Sequence, residues 1–147
     1  MFDFYDGGGI DLTFLGLAEA DAKGNLNVSK FGPKIAGTGG FVDITQNTPK
    51  IIFTGTFTAA GLKEEVKDGK LHIIQEGKVK KFVKEVQQVT FSGQVASANK
   101  QKVWYVTERA VFELAENGLK LIEIAPGVDL QKTFLIKWSS SRLLVMI

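Results

Sequence analysis

The sequence predicts an α/β protein built around a mixed sheet. In the first half of its 147 residues, apolar segments of strand length are interrupted by a glycine-rich turn and a short helical segment. In the second half, short alternating segments separated by turn signals predict a β-meander. Hydrophobic residues make up 44% of the chain and charged residues 23%, which is the composition of a folded domain and excludes a mainly disordered chain.

The first predicted elements are a strand and a hairpin. Residues 10–17 are mostly apolar with few charges, so they predict a largely buried strand. The turn residues at 21–25 precede an alternating segment at 26–31, and this succession predicts a hairpin. Gly32 and Pro33 end it.

A helix and the clearest strand follow. Residues 41–47 come directly after the glycine cluster Gly37-Thr38-Gly39-Gly40 and predict a short helix that ends near Pro49. Residues 50–58 are rich in β-branched and aromatic side chains, and they lie between Pro49 and Gly61. These features predict a strand.

The middle of the chain predicts another hairpin. Residues 70–75 and 79–83 are expected to pair around a turn at Glu76-Gly77. An earlier turn is expected at Asp68-Gly69.

The predicted meander lies between residues 103 and 124. Its strands are expected at 103–107, 110–114 and 119–124. Glu116-Asn117-Gly118 is expected to turn between the last two, because Asn-Gly favours tight hairpins. Residues 126–130 then predict a terminal helix or loop.

The residue types present exclude several kinds of site. The chain has no cysteine and one histidine, so a disulfide, a thiolate nucleophile and a multi-histidine metal site are excluded, and no metal is expected. A net charge of +2 gives no basic excess, so nucleic acid is not an expected partner. No segment approaches the roughly 18 apolar residues of a membrane span, and the N-terminus lacks a signal-peptide pattern. The cytoplasm is therefore the expected location, with no membrane partner.

Gly37, Thr38, Gly39 and Gly40 form the main candidate site. Glycines before a helix leave backbone N–H groups that can bind an oxyanion or a phosphate, and the helix dipole favours negative charge there. The pattern is neither the dinucleotide fingerprint nor the P-loop, because it lacks the later glycine of the first and the Gly-Lys-Ser/Thr of the second. An equally weighted alternative is that these glycines only let the turn pack closely on a strand.

The other candidates have simpler structural interpretations. Glu116 lies in the predicted Asn-Gly turn, and His72 has no acid or nucleophile pattern beside it. Glu19 and Asp21 could pair as acid and base, but charged residues at a strand end more commonly serve solubility. Four lysines that alternate with apolar residues predict a solvated hairpin face: Lys78, Lys80, Lys81 and Lys84.

Several segments resemble the β-subunit-type half of the family I coenzyme A transferases, above all the fused acetate and propionate CoA-transferases. The segments are residues 2–16, 24–29, 37–44 and 106–112. The most specific are the Gly-x-Gly-Gly-x-x-Asp motif from Gly37 to Asp43 and the strand Thr-Glu-Arg-Ala-Val-Phe from Thr107 to Phe112. The resemblance covers approximately residues 2–132 and implies part of an open α/β CoA-transferase domain.

The resemblance also implies a covalent mechanism. In this family a glutamate attacks the acyl-CoA, giving first an acyl anhydride and then a glutamyl-CoA thioester that the carboxylate acceptor resolves. It implies that Gly39 and Gly40 supply backbone N–H near the reacting carbonyl, where such donors stabilise an oxyanion by about 3–4 kcal/mol. Acyl-CoA and a carboxylate are then the expected partners, and coenzyme A is a substrate, with no cofactor expected.

The chain departs from the family pattern at two places. The family's glutamate lies before the segment that Phe2 begins, so no catalytic residue is expected in this chain, which resembles a C-terminal fragment that is inactive alone. Residues 133–147 do not follow the pattern of 1–132 and are expected to be an atypical, frameshifted tail. Apolar surface left by the missing half predicts a homo-oligomer. The alternatives are a non-enzymatic interaction module and one half of a split transferase that needs a partner chain.

Overall fold

The computed structural model describes residues 9–31, 34–35, 40–129 and 144–145, with the backbone alone at 30–31, 34–35 and 144–145. The helices in these ranges are α1 (Phe41–Asn47) and α2 (Gly93–Ala98). The strands are β1 (Leu12–Gly16), β2 (Glu19–Asp21), β3 (Leu26–Asn27), β4 (Lys30–Phe31), β5 (Lys34–Ile35), β6 (Lys50–Thr54), β7 (Thr58–Ala59), β8 (Lys63–Lys67), β9 (Lys70–Gln75), β10 (Val79–Lys80), β11 (Phe82–Val83), β12 (Lys102–Val106), β13 (Ala110–Ala115), β14 (Gly118–Ile124) and β15 (Leu144–Val145).

A six-stranded mixed sheet organises these elements in the order β1-β6-β12-β13-β14-β15. β1, β6 and β12 run parallel, and their register places Thr13, Ile51 and Val103 side by side. β12, β13 and β14 form an antiparallel meander, and β15 joins the edge of β14 in parallel. The α/β class, the mixed sheet and the meander predicted from the sequence are confirmed.

The hydrophobic core lies on one face of this sheet, which we call the covered face. Ile51, Phe53, Val103, Tyr105 and Phe112 point to it and are fully buried. They alternate with more exposed residues along β6, β12 and β13, as the two-residue period of a strand requires.

Helix α1 packs on the covered face and runs opposite to the parallel strands. At its start, the ring of Phe41 stacks on Phe53, near the end of β6, with 5.8 Å between ring centroids. At its end, Gln101 Nε2, just before β12, donates to the carbonyl oxygens of Thr45 and Thr48, both at 2.7 Å. The N-terminus of α1 therefore lies at the same end of the sheet as the carboxyl ends of β1, β6 and β12.

Helix α2 has no counterpart among the predicted elements. Ser92 caps it, because its hydroxyl accepts the Val95 backbone N–H at 3.3 Å. Ala96 is buried in the core, so the helix also packs on the covered face. The helix has six residues, most of them small or polar, and this is too short a periodic pattern to predict a helix from sequence.

The turn at residues 21–25 is confirmed, but it joins β2 to β3 rather than ending the first strand. Its conformation is set by Asp21, whose Oδ1 accepts the backbone N–H groups of Lys23 at 3.0 Å and Asn25 at 3.1 Å. The phenolic hydroxyl of Tyr105 donates to the Gly24 carbonyl oxygen at 2.6 Å and attaches the turn to the sheet.

Two other glycines let distant segments approach this turn. A Cβ atom at Gly93 would overlap the carbonyl oxygen of Lys23, and one at Gly118 would overlap that of Ala22. The turn is therefore held between the start of α2 and the β13–β14 hairpin.

The predicted first strand is wrong in its burial. β1 covers five of the eight residues, and Leu12 and Phe14 are 42% and 64% exposed. β1 lies at the edge of the sheet and is covered on one face, so every second apolar side chain stays in contact with solvent. The strand predicted at 50–58 is likewise shorter, since β6 ends at Thr54.

The hairpin predicted at Glu76-Gly77 is wrong. β9 pairs instead with β8 across Asp68-Gly69, where both residues have positive φ, 54° and 73°, as a tight two-residue hairpin turn requires. β10 pairs with β7, and β11 pairs with β2, because the chain after β9 leaves the hairpin and crosses to the sheet's end.

The C-terminal predictions are only partly within the described residues. Pro126 and Gly127 form a turn in which the Val128 N–H donates to the Ala125 carbonyl oxygen at 3.2 Å, so the described segment is a loop. The division at residue 132 and the tail at 133–147 stay predictions, because residues 130–143 and 146–147 lie outside the described residues.

Candidate functional site

Three loops meet at the carboxyl ends of the parallel strands. Leu17 follows β1, Gly55 to Phe57 follow β6, and Thr107 to Arg109 follow β12. Backbone hydrogen bonds connect the loops. The Leu17 N–H donates to the Thr54 carbonyl oxygen at 2.7 Å, and the Gly55 N–H donates to the Val106 carbonyl oxygen at 3.1 Å. Ligands of open α/β sheets bind at this end, so it is the natural place to look for a site.

A buried arginine is the centre of a charged cluster at this end. Arg109 is fully buried, and its Nη1 and Nη2 donate to the two carboxylate oxygens of Glu76 at 2.7 and 3.1 Å. Its Nε donates to Oε1 of Glu108 at 2.7 Å. The guanidinium also lies over the ring of Phe57, 4.9 Å from its centroid. One cation thus holds two carboxylates and an aromatic ring.

The two carboxylates hold the neighbouring loops in turn. Oε2 of Glu108 accepts the backbone N–H of Phe57 at 2.8 Å, which ties the loop after β12 to the loop after β6. Oε2 of Glu76 accepts the Thr58 hydroxyl at 3.2 Å, and that hydroxyl oxygen accepts the Gly77 N–H at 2.9 Å. The cluster is therefore a clamp on the loops, with both carboxylates engaged.

The electrostatics of this cluster favour the charged form of its arginine. Burial alone would lower the pKa of Arg109, but the hydrogen bonds that it donates to Glu76 and Glu108, together with the negative charges of these carboxylates, outweigh burial and raise that pKa. Nearby, burial and then the charge of Glu108 raise the pKa of Glu64, with Arg109 opposing them.

Lys81 is a half-buried cation beside the clamp. Its Nζ donates to the Leu17 carbonyl oxygen at 3.0 Å. A Cβ atom at Gly55 would lie 2.9 Å from that oxygen and 3.1 Å from Nζ, so glycine leaves the room that this contact needs. Burial lowers the pKa of Lys81, and the charge of Glu108 partly opposes this shift. The solvated face predicted for this lysine is wrong, whereas Lys78, Lys80 and Lys84 are exposed as predicted.

Only one residue of the predicted glycine site lies within the described residues. Gly40 precedes α1 with φ of −84°, and its carbonyl oxygen accepts the Ile44 N–H at 3.0 Å. The predicted helix after the glycines is confirmed. Gly37, Thr38 and Gly39 lie outside the described residues, so the oxyanion role of this segment stays a prediction.

Glu19 and Asp21 support the structure of their own region. Oε1 of Glu19 accepts Asn27 Nδ2 at 3.2 Å and the Gln87 backbone N–H at 3.1 Å. Asp21 is 1% exposed and holds its turn. Both carboxylates accept backbone N–H groups, which favours the structural interpretation over an acid and base pair.

The remaining candidates lie on the surface. Glu116 and Asn117 are exposed at the tip of the β13–β14 hairpin, which confirms the predicted turn. His72 is exposed on β9, opposite Glu65 of β8. Neither position is at the carboxyl ends of the parallel strands.

The charged clamp is the feature that sequence reasoning missed. The Thr-Glu-Arg motif marks Glu108 and Arg109, but Glu76 is 33 residues before Arg109 and belongs to no motif. Across the described ranges, no group of three His, Asp or Glu side chains could hold a metal ion. None of the described helices is long and apolar enough to cross a membrane.

Known proteins similar in sequence are CoA-transferases. The chain is 60% identical over 137 residues to acetate CoA-transferase YdiF of Escherichia coli K12, which covers 93% of this chain and 26% of YdiF. It is 56% identical over 140 residues to caffeate CoA-transferase of Acetobacterium woodii, and this match covers 92% of this chain and 26% of that protein. It is 32% identical over 131 residues to the β subunit of acetate CoA-transferase from Haemophilus influenzae, and this match covers 88% of this chain and 49% of that subunit. No protein-family model matches the chain.

The fold of the chain also matches solved structures of an acyl-CoA transferase. The chain superposes on the crystal structure of the YdiF apoenzyme from E. coli O157:H7 with a TM-score of 0.90 and 56% identity, over 99% of this chain and 29% of that one. It superposes on a YdiF thioester complex with CoA with a TM-score of 0.93, over 99% and 28%. The chain spans about a quarter of the length of the first relatives it matches, and over nearly all of its own length it is similar in sequence and fold to these CoA-transferases.

Proposed function

We propose that this chain is one part of an acyl-CoA:carboxylate CoA-transferase of the short-chain acyl-CoA and acetate class, and that it has no activity alone. The observation behind the proposal is 60% identity to acetate CoA-transferase YdiF over 93% of the chain, but over only 26% of YdiF. A thioester with CoA in the YdiF crystal structure supports a covalent route. A β subunit among the relatives supports assembly from more than one chain, and a homo-oligomer in the cytoplasm is part of the proposal.

The proposed reaction takes its nucleophile from outside this chain. A glutamate carboxylate attacks the thioester carbonyl and expels CoA thiolate, which leaves an acyl anhydride. The thiolate then attacks the glutamyl carbonyl and releases the first carboxylic acid as its anion. The acceptor carboxylate reverses both steps and leaves with CoA. Coenzyme A is a substrate throughout, and the carboxylate nucleophile needs no separate cofactor.

In this scheme the chain supplies backbone N–H groups that bind the oxyanion. Its charged clamp holds the loops at the carboxyl ends of the parallel strands in place. We assign the backbone N–H groups of the segment Gly37, Thr38, Gly39 and Gly40 to the oxyanion that forms at each attack. Two observations support this role. The segment precedes α1, whose start lies at the carboxyl ends of the parallel strands. Two of the described carboxylates at that end, Glu76 and Glu108, are already bound to Arg109, which agrees with a nucleophile from outside this chain and leaves the oxyanion role to this segment.

Reconstitution tests the proposal. The chain is purified alone and also co-expressed with the remainder of E. coli YdiF that it does not match, and transfer of CoA from propionyl-CoA to acetate is measured. We expect transfer by the complex and none by the chain alone, with Glu116→Gln behaving as wild type in the complex. Transfer by the chain alone that is lost when one of its own glutamates is changed would overturn the proposal. A complex that forms without transfer would favour a non-enzymatic interaction module.

The oxyanion assignment has its own test in the same complex. The φ of Gly40 is −84°, close to the value that proline fixes and one that alanine also adopts, so Gly40→Pro removes the N–H with little change in the φ of residue 40. We expect Gly40→Pro to lower kcat by about 100- to 1000-fold and Gly40→Ala to lower it much less. Equal kcat values for the two variants would show that this N–H does not bind the oxyanion.

A further inference from the structure

We propose that Asn117, at the tip of the β13–β14 hairpin, is a site of spontaneous deamidation that gives the hairpin a new negative charge as the protein ages. In this reaction the backbone nitrogen of Gly118 forms a bond to Cγ of the Asn117 side chain. The Gly118 nitrogen loses its proton and the side-chain amide leaves as ammonia, so a five-membered succinimide ring forms. Water then opens the ring at one of its two carbonyls, which gives aspartate or isoaspartate. The reaction needs water and hydroxide but no enzyme.

The residue after each asparagine controls how easily the ring forms. A side chain on that residue crowds the attacking backbone nitrogen, whereas glycine has no Cβ and leaves the nitrogen unhindered. Asn117 is the asparagine that precedes a glycine in this sequence. The other asparagines precede larger residues: Asn25 before Leu26, Asn27 before Val28, Asn47 before Thr48 and Asn99 before Lys100.

The side chain of Asn117 is also free to turn toward the attacking nitrogen. It is exposed and makes no hydrogen bond with any described residue. The amide of Asn25, in contrast, donates through Nδ2 to Oδ2 of Asp21 at 3.3 Å and accepts the Gly93 N–H through Oδ1 at 3.0 Å. Asn99 is exposed like Asn117, so these two residues differ mainly in the residue that follows them.

The position of Asn117 in the hairpin lets its backbone rotate for the attack. Asn117 lies in the turn that the terminal pair, Ala115 and Gly118, closes. Rotation opens this terminal pair, and the ends of paired strands open at a much lower free energy than the core. The next pair, Leu114 and Leu119, stays in place because Leu119 is 1% exposed in the core. The ring can therefore form without unfolding of the hairpin.

The fold itself requires the glycine that makes Asn117 reactive. Gly118 has a φ of 128°, which residues with a side chain rarely adopt. A Cβ atom at this position would also overlap the carbonyl oxygen of Ala22 in the turn at residues 21–25. A larger residue at position 118 would slow deamidation but would push the hairpin away from that turn. The reactive pair is therefore a consequence of how the hairpin packs.

The two products differ in their effect on this packing. Asn117 and Lys23 line the same cleft beside the hairpin tip, so aspartate at position 117 places a negative charge near a lysine and keeps the length of the main chain. Isoaspartate adds a methylene to the main chain before Gly118. The Leu119 N–H donates to the Ala22 carbonyl oxygen at 2.9 Å, and the longer chain disturbs this hydrogen bond. We therefore expect isoaspartate, and not aspartate, to destabilise the protein.

Peptide mapping of the aged protein tests the proposal. The purified full-length chain is kept folded at mildly alkaline pH, and samples taken over time are digested with trypsin, with the first sample as the baseline for conversion during digestion. Cleavage after Arg109 and Lys120 releases Asn117 in a peptide of its own, and cleavage after Lys84 and Lys100 releases Asn99. Tandem mass spectrometry locates the converted residue and separates isoaspartate from aspartate. We expect Asn117 to convert about tenfold or more faster than Asn99.

Stability measurements on the same samples test the consequence. We expect aged wild-type protein to show a fraction with a lower urea midpoint, and we expect freshly made Asn117→Asp and aged Asn117→Gln to keep the midpoint of fresh protein. Equal conversion of Asn117 and Asn99 would overturn the proposal, as would conversion of Asn117 in urea-unfolded chain but not in folded chain. An unchanged midpoint in samples rich in isoaspartate would show that the hairpin tolerates the longer main chain, which overturns the predicted effect on packing.

Discussion

The covered face of the central sheet and the opposite face, which we call the open face, are formed by the same strands, yet their apolar side chains differ sharply in burial. On the covered face, Phe53 contacts three other aromatic rings and is fully buried. On the open face, Phe14 belongs to the same sheet and is mostly exposed. The difference shows that an apolar residue in a strand does not by itself indicate core, because the two faces of one sheet can differ in burial.

Removing the central ring of the covered face is expected to have the largest effect. Phe53→Ala deletes contacts with Phe41, Phe91 and Tyr105, whose ring centroids lie 5.8, 5.1 and 5.4 Å away. We expect a loss of about 3–5 kcal/mol in the free energy of unfolding, because a large cavity remains in a packed core. Urea denaturation measures it. A loss under about 1 kcal/mol would break the distinction between the two faces.

Breaking the charged clamp shows how much the stability of the fold depends on a buried ion pair. Arg109→Met leaves the carboxylates of Glu76 and Glu108 without their cation. We expect a loss of about 2–4 kcal/mol, at the lower part of the range for buried pairs because Glu76 can regain some water. Adding Glu76→Gln to Arg109→Met should restore part of the stability. If the double variant is less stable than Arg109→Met alone, repulsion between the two carboxylates does not cause the loss of stability.

Removing one buried hydroxyl group from the covered face is expected to lower the stability by a smaller amount. Tyr105→Phe removes the donor to the Gly24 carbonyl oxygen and leaves that oxygen without this partner. We expect about 1–2 kcal/mol of destabilisation, measured by the shift of the urea midpoint at constant m-value. An unchanged midpoint would mean that the turn at residues 21–25 does not need its attachment to the sheet.

The open face is expected to give the smallest effect. Phe14→Ala removes a ring that is 64% exposed in this chain, so the free energy of unfolding should change by no more than about 0.5 kcal/mol. Thermal unfolding of this variant beside Phe53→Ala is the direct comparison. A loss near that of Phe53→Ala would show that Phe14 is covered by the chain itself.

The parts of the fold that could be predicted from sequence are those set by neighbours along the chain. Asn117-Gly118 and the alternating segments around it specify the β13–β14 hairpin locally, and the structure confirms it. The hairpin predicted at Glu76-Gly77 did not form, and Glu-Gly is a weaker turn signal than Asn-Gly. Glu76 instead binds Arg109, 33 residues later, and a contact at that distance along the chain leaves no local pattern in the sequence.

The candidate site divides in the same way. The helix start at Gly40 follows from the local glycine pattern, and the family follows from that motif together with the Thr-Glu-Arg strand. The position of Lys81 against the Leu17 carbonyl could not be predicted, because it depends on Gly55 leaving room between segments that are 64 residues apart. The burial of β1 depends on what covers its outer face, which local pattern cannot specify.

The turn at residues 21–25 also has a consequence for the time course of synthesis. Its attachment to the sheet requires Tyr105, which is 81 residues beyond Gly24. At a synthesis rate of about 5–20 residues per second, roughly 4–16 s pass between the two residues leaving the peptidyl transferase centre. During that interval β2 and β3 have neither Tyr105 nor Gly118 to pack against, so a nascent chain of this protein exposes the β2–β3 hairpin to chaperones and proteases until the meander is made.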